Sequence, residues 1–287
     1  MTLLLLNKVA VITGGSRGLG YAIAETYARA GAKVVIASRS ARSVDEAVKK
    51  LQHNGAQAAG QACDVGDLAQ VEALAGLAIR TFGRIDIWVN NAGISAPYGP
   101  TAHVPSADFL NTVNTNIVGT YNGSVVALRH FLAQKSGKLI NLLGRGDTGA
   151  VPMQNAYSSS KVWVRNFTQA LAQEYKGRGV DIFGFNPGLV RTEMLSNVQA
   201  VNGYEGRLNP LRYVAMLWGN EADVPAERAL WLASSATDGR NGLMSTVLTK
   251  RMMFSRLAAL PFQKLFNRSA QPLDLNVTSV ESAYSGD

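Results

Sequence analysis

A chain of 287 residues that is 47% hydrophobic and 17% charged carries ample apolar side chains for a core, which excludes an intrinsically disordered protein. The formal net charge of +8 admits an anionic partner, but no nucleic-acid motif accompanies it; a phosphate-rich cofactor, an acidic membrane surface or a merely basic enzyme remain. Cys63 is the single cysteine, which excludes an intramolecular disulfide and fits a reducing, cytoplasmic setting.

Leu3 to Leu6 form a short apolar run with no basic residue before it, so residues 1 to 6 are expected to begin a strand and not a signal peptide. Lys8–Thr13 is the first apolar strand run, and it ends in glycines. A helix is predicted over 18–30, stopped by Gly31. A second strand follows at Lys33–Ala37 and a helix from about Ser43 to Leu51. Further strands are expected at Ala56–Cys63, Ile85–Val89, Lys138–Leu142 and Val180–Phe185, with a helix at Leu68–Phe82 and two long helices at about 107–134 and 155–176. Strands apolar on both faces, alternating with helices, predict a doubly wound parallel sheet in a three-layer α/β/α, Rossmann-like single domain. No linker or repeat divides residues 7–245, so residues 1–249 are taken as one domain.

Residues 250–287 form an extension of different character. Between 250 and 268 stand Lys250, Arg251, Arg256, Lys264 and Arg268, with large apolar residues between them and no acidic residue. A helix docked on the domain, a substrate lid, a partner-binding helix or a peripheral membrane contact all suit this composition. Pro261 is expected to interrupt any continuous amphipathic helix here. No uninterrupted apolar run approaches the roughly 18 to 20 residues of a membrane span.

Three constellations carry chemistry. Gly14, Gly18 and Gly20 lie in Thr13-Gly14-Gly15-Ser16-Arg17-Gly18-Leu19-Gly20, between a strand and a helix. Backbone must approach a pyrophosphate closely there, and the helix amino end supplies free N–H groups. At the end of the second strand, Ser38-Arg39-Ser40 stands where an acidic side chain would bond a ribose 2′-hydroxyl. Arg39 can bind a 2′-phosphate bidentately and Ser38 can donate to it, with Arg17 as a second cation, so NADP(H) is the expected cofactor. Tyr157-Ser158-Ser159-Ser160-Lys161 places a phenol and an ammonium on one helix face. The ammonium is expected to lower the phenol pKa and let Tyr157 exchange protons with an alcohol or carbonyl. No histidine spacing suggests a metal site.

The glycine turn, Asn90-Asn91-Ala92-Gly93, Tyr157-x-x-x-Lys161 and Pro187-Gly188 occur in the order and spacing of the short-chain dehydrogenase/reductase family, which residues 7–245 resemble. The resemblance implies an oxidoreductase acting on CH–OH or C=O groups. Gly14, Ser16, Arg17, Gly18, Leu19 and Gly20 would hold the cofactor phosphates, and Asp64 and Val65 the adenine. Asn90, Ala92 and Gly93 would lie along the cofactor, and Pro187, Gly188, Val190 and Thr192 would anchor its nicotinamide. Asn116 would belong to the proton relay, Tyr157 would be the general acid/base, and Lys161 would bond the nicotinamide ribose. A lid over about 193–220, rich in apolar residues, implies a largely apolar substrate, and the two long helices imply a homodimer or homotetramer.

One position departs from the family pattern. Thirteen residues before Tyr157, where a serine hydroxyl normally polarises the substrate oxygen, stands Gly144. A water or a substrate group can take over the hydrogen bond, glycine can make room for a bulky substrate, or Arg145 can face the oxyanion instead. The alternative is a catalytically altered member that acts as an NADPH-binding sensor or interaction protein.

Overall fold

The computed structural model describes residues 3–265 and 272–284. In chain order, the strands are β1 (Val9–Thr13), β2 (Lys33–Ser38), β3 (Ala58–Ala62), β4 (Ile87–Asn90), β5 (Gly137–Leu142), β6 (Val180–Asn186), β7 (Asn197–Val201), β8 (Met244–Thr246) and β9 (Asn276–Val280). Seven of them form one parallel sheet in the order β3-β2-β1-β4-β5-β6-β8, as the doubly wound reading requires.

Both faces of the sheet are buried at its central strands, which is why β1, β2 and β4 read as largely apolar runs. Ala10 and Ile12 of β1 point into one core with Val34, Ile36, Ile140 and Phe183. That core is closed by α1 (Gly18–Arg29), α2 (Ala41–His53) and α9 (Asp223–Ala233). The intervening Val9 and Val11 point to the opposite core with Val35, Trp88, Leu139 and Ile182, beneath α3 (Leu68–Phe82), α5 (Gly119–Gln134) and α6 (Asn155–Glu174). Burying apolar side chains at about 25 cal/mol per Å² makes these two layers the main stabilising term. Chain order reverses at β1, between β2 and β4, so the loops after β1 and β4 diverge and leave a crevice at the carboxyl edge of the sheet.

Several expectations require correction. The leucine run does not start a strand: Leu4–Asn7 forms a turn, and Asn7 has φ +62°. Only Leu5 is buried there, its N–H donating to the Ala30 carbonyl, while Leu3, Leu4 and Leu6 stay exposed. The helix expected over 107–134 is instead α4 (Ser106–Val113) and α5 joined by a π-turn at Asn114–Val118. Helix α10 (Lys250–Leu265) runs through Pro261, which was expected to break it. A proline there removes one hydrogen bond, to residue 257, and the neighbouring turns still pair. The expected basic segment continues to Arg268, and 266–271 lie outside the described residues.

Helix α9 and strands β7, β8 and β9 have no counterpart among the elements expected from sequence. Strand β8 completes the sheet edge beside β6. Strand β9, from the C-terminal extension, pairs in parallel with β7 of the lid, from Asn197↔Asn276 to Val201↔Val280.

Candidate active site

The glycine turn lies at the carboxyl end of β1, and its shape is set by contacts that tolerate no side chain. Gly14 has φ +64°, and a Cβ there would sit 2.9 Å from the Ala92 Cα. A Cβ on Gly20 would fall on the Gly14 carbonyl oxygen. The Asn91 amide locks the turn, donating to the carbonyls of Thr13 (2.9 Å) and Gly14 (3.1 Å). The N–H groups of Asn91 and Ala92 both donate to Thr13 Oγ1 at 3.1 Å. The sequence reading gave Asn91 no role; adjacency to Asn90 was its only signal.

Ser38 and Arg39 stand at the end of β2. Ser38 Oγ is buried without a hydrogen-bond partner, and Arg39 is exposed, with no ion-pair partner among the described residues. Ser40 is used differently, capping α2 through Ser43 N–H. Arg17 reaches across to the lid, where it pairs with Glu193 at 2.6 Å. Asp64 accepts from Gly66 N–H at 2.9 Å, and the buried Val65 carbonyl accepts from Asn122.

Asn90 ties β4 to its surroundings. It accepts from Trp88 Nε1 at 2.8 Å and donates to Asn141 of β5 at 2.9 Å and Ser124 of α5 at 3.1 Å. Past Ala92 and Gly93 the backbone meets Asn116 in the π-turn. Asn116 accepts from Ile94 N–H and donates to the Ile94 carbonyl, both at 2.9 Å, and donates to Ser160 Oγ at 3.0 Å. The wider π-turn aims this fully buried amide at the Ile94 backbone and α6 together.

Tyr157 and Lys161 share the face of α6 that looks at the end of β5. Lys161 is buried, donates to the Leu142 carbonyl at 3.0 Å, and lies 5.6 Å from the centroid of the Tyr157 ring. Burial pushes its pKa down to about 8, partly opposed by the Asp147 carboxylate. Burial and, second, Asp147 push the Tyr157 phenol up to about 12. The phenol therefore stands above its usual pKa and not below it as expected, with desolvation of the phenolate as the larger cause.

Gly144 lies directly against this pair: a Cβ built on it falls on the Tyr157 hydroxyl. A serine Cβ at this position would therefore require the tyrosine hydroxyl to shift. Arg145 next to it is exposed, whereas Asp147 is buried. Asp147 is the carboxyl nearest to Gly144 along the sequence. It is paired with Arg165 at 3.0 Å and accepts from Asn186 at 3.2 Å, and neither partner was singled out beforehand.

Beyond β6, Gly188 N–H donates to Asn186 Oδ1 at 2.9 Å, and Val190 bridges to Asn220. Thr192 lies over Gly18, near the glycine turn. The lid holds α7 (Glu193–Ser196), β7 and α8 (Asn209–Trp218); Val201 and Leu208 are core, while Met194 and Tyr213 are exposed. A crevice beside Tyr157 is lined by Ser95, Ala96, Phe109, Met153 and Gln154. The C-terminal extension secures the lid: His103 contacts Ser282 at 3.0 Å, its carbonyl accepts from Ala283 N–H, and its ring packs edge-on against Tyr204 and Tyr284. Among the described residues, no helix is long and apolar enough to cross a membrane, and no cluster of His, Cys, Asp and Glu could hold a metal ion.

Comparison with known proteins gives a consistent answer. The family model described as short chain dehydrogenase matches residues 8–202. The chain is 30% identical over 232 residues to glucose 1-dehydrogenase 2 of Bacillus subtilis, covering 80% of this chain and 89% of that protein. It is 33% identical over 194 residues to a diacetyl reductase ((S)-acetoin forming) of Staphylococcus epidermidis, covering 67% and 75% respectively. The structure resembles a 3-ketoacyl-(acyl-carrier-protein) reductase from Brucella melitensis complexed with NADH, with TM-score 0.77, 28% identity and coverage of 86% and 99%. A gluconate 5-dehydrogenase from Burkholderia cenocepacia in complex with NADP and tartrate gives TM-score 0.76 at 28% identity, covering 85% and 95%.

Proposed function

The chain belongs to the short-chain dehydrogenase family and is an oxidoreductase acting on CH–OH or C=O groups, and we propose that it transfers a hydride between NADP(H) and a largely apolar substrate, with Tyr157 as general acid/base. The observation that carries this reading is the convergence of Tyr157, Lys161 and Asn116 beside an apolar crevice at the carboxyl edge of the sheet.

The residues present fit a dinucleotide phosphate. The turn at Gly14 and Gly20 is a cradle that a Cβ would fill, Ser38 Oγ is an orphaned buried hydroxyl, and Arg39 is an exposed cation beside it. Ser16, Arg17, Gly18 and Leu19 would hold the phosphates, and Ser38 and Arg39 the 2′-phosphate, which favours NADP(H) over NAD(H). Asp64 and Val65 would hold the adenine. Asn90, Ala92, Gly93, Pro187, Gly188, Val190 and Thr192 would line the nicotinamide half. When bound, the reduced cofactor supplies the hydride that reaches the carbonyl carbon.

The chain's own part is the proton. In reduction, the Tyr157 hydroxyl gives its proton to the carbonyl oxygen as the alcohol forms, and the resulting phenolate is stabilised by the Lys161 ammonium. In oxidation the phenolate takes the alcohol proton. Asn116 positions Ser160 and the Ile94 backbone beside the pair. Arg17 and Glu193 bridge the glycine turn and the lid, so lid movement and cofactor entry are linked.

The test is NADPH oxidation with a carbonyl panel that includes diacetyl and a 3-ketoacyl thioester. Turnover should be lost in Tyr157→Phe while NADPH binding survives; unchanged turnover in that variant would remove the mechanism. Gly144 favours one second reading, an NADPH-binding sensor or interaction protein, which predicts cofactor binding with no turnover across the panel.

Assembly as a homodimer or homotetramer through α5 and α6, in a cytoplasmic setting, completes the proposal. Peripheral membrane contact by α10 belongs to it as well, because Phe254 and Leu257 are exposed beside Arg251. Flotation of the full chain on acidic liposomes, against a chain ending at Thr249, decides that point.

A further inference from the structure

The described residues of the C-terminal tail, 272–284, lie beyond residue 202, where the match to the family model ends, and they fasten two sides of the crevice beside Tyr157. On the lid, β9 pairs with β7 along its whole length, Ser279 donates to Glu205 at 2.5 Å, and Asn202 N–H donates to the Val280 carbonyl at 2.9 Å. Across from the lid, the short turn Thr101–His103 takes the end of the tail. Ser282 Oγ lies 3.0 Å from His103 Nδ1, and Ala283 N–H donates to the His103 carbonyl at 3.0 Å. The other edge of β7 is occupied by the crevice wall itself. Tyr98 N–H donates to the Gln199 carbonyl at 2.8 Å, and Val201 N–H donates to the Tyr98 carbonyl at 2.9 Å. Gly99 presses on β7 so closely that a Cβ would meet Val201 at 2.6 Å, while its N–H donates to the Met153 carbonyl on the opposite wall at 3.0 Å. The crevice between these walls, lined by Pro97, Gly99, Thr101, Val104 and Met153 together with Tyr157, encloses about 10 Å³. That is room for about one water and not for an organic carbonyl compound.

We propose that the tail, residues 273–284, is a strap that determines which substrates are accepted: it holds the 97–104 wall against Met153, and a carbonyl compound enters only by releasing it. The inference rests on the crevice at Tyr157 being the substrate site. The strap is built to let go without disturbing the sheet. Strands β7 and β9 form a two-stranded sheet of their own, so their separation leaves the seven-stranded sheet paired. Among the described residues of the tail only Leu275 is buried, whereas Asn276, Thr278, Ser279, Ala283 and Tyr284 are exposed. A segment held mainly by backbone bonds near solvent, with few apolar contacts, opens at the low end of local stability. A closed majority weakens the apparent affinity for every substrate by the fraction of time the crevice is open. A larger carbonyl compound needs the wall to move further, so the strap discriminates by size.

Gln199 and Thr278 are register partners on β7 and β9 and both are exposed, so Gln199→Cys/Thr278→Cys ties the strap down with a reversible disulfide. The native Cys63 is buried and stays out of the exchange. Oxidation should lower kcat/KM for a long-chain 3-ketoacyl thioester by about tenfold or more, and that for diacetyl by less; reductant should restore both in the same molecule. Ser282→Ala/Tyr284→Ala loses the side-chain contacts with His103 and should lower KM for the thioester by about threefold to tenfold with kcat kept. Amide exchange gives a readout that needs no turnover. The Tyr98 and Gly99 N–H groups should exchange more slowly in the oxidised chain and faster in Ser282→Ala/Tyr284→Ala, with β1 unchanged. Equal exchange at Tyr98 and Gly99 in all forms would overturn the proposal, as would thioester turnover indifferent to the disulfide or failure of the two cysteines to join. If no form turns over any carbonyl compound, the hydride-transfer reading fails, and exchange at Tyr98 and Gly99 still decides whether the strap holds the wall.

Discussion

Lys161 should make the protein less stable than it would be with an apolar side chain. The ammonium is 5% exposed, and its pKa falls from 10.5 to about 8. At about 1.4 kcal/mol per unit, keeping it charged costs the folded state about 3 kcal/mol near pH 7. Lys161→Met also removes the bond to the Leu142 carbonyl, a loss of about 1 kcal/mol. The variant should therefore be about 2 kcal/mol more stable near pH 7, and inactive if Lys161 serves Tyr157. The pH dependence follows from the sign of the shift. The folded pKa lies below the unfolded one, so between about 8 and 10.5 the unfolded chain binds more protons and native stability rises with pH. Near pH 9.5 the remaining charge penalty is about 1 kcal/mol, and the two chains should be nearly equal. Urea unfolding followed by tryptophan fluorescence, at both pH values and without cofactor, measures the gap. A Met variant that is less stable by the same amount at both pH values would refute the reasoning.

Restoring the family's serine by Gly144→Ser should lower turnover, because its Cβ falls on the Tyr157 hydroxyl; the strain should cost about 1 to 3 kcal/mol in a melting experiment. Arg39→Ala should weaken NADPH binding by about tenfold to a hundredfold, the value of charge-assisted bonds to a 2′-phosphate, and leave NADH binding unchanged in fluorescence titration. Glu193→Gln frees Arg17 from an exposed pair and should tighten NADPH by up to about fivefold. Ending the chain at residue 271 removes β9 and the contacts of Ser282, Ala283 and Tyr284 with His103, so amide exchange in β7 should accelerate while β1 and β4 exchange as before.

Most of the frame was legible because its signals are local. A strand buried on both faces, such as Val9–Thr13, is apolar at all but its last position, and a helix that follows glycines announces a phosphate turn. The short edge strand β8 escaped because Met244–Thr246 has too few residues for a period to appear. The π-turn escaped because Asn114–Val118 has ordinary helical composition; what widens the turn is the fit of Asn116 between Ile94 and Ser160. The pairing of β7 with β9 joins residues 79 apart, from Asn197 to Asn276, and nothing in either stretch names the other.

By itself, the sequence determined the doubly wound architecture, the glycine turn and the spacing that puts Tyr157 and Lys161 on one helix face, since each depends on neighbours a few residues away. It also exposed Gly144 as an anomaly. Only the tertiary structure shows what surrounds it. The tyrosine hydroxyl lies where a Cβ would fall, and Asp147 from the loop, Arg165 from α6 and Asn186 from β6 come together beneath it. Burial and the field of a charge depend on which distant segments close around a group, and these reversed the expected direction of the phenol's pKa.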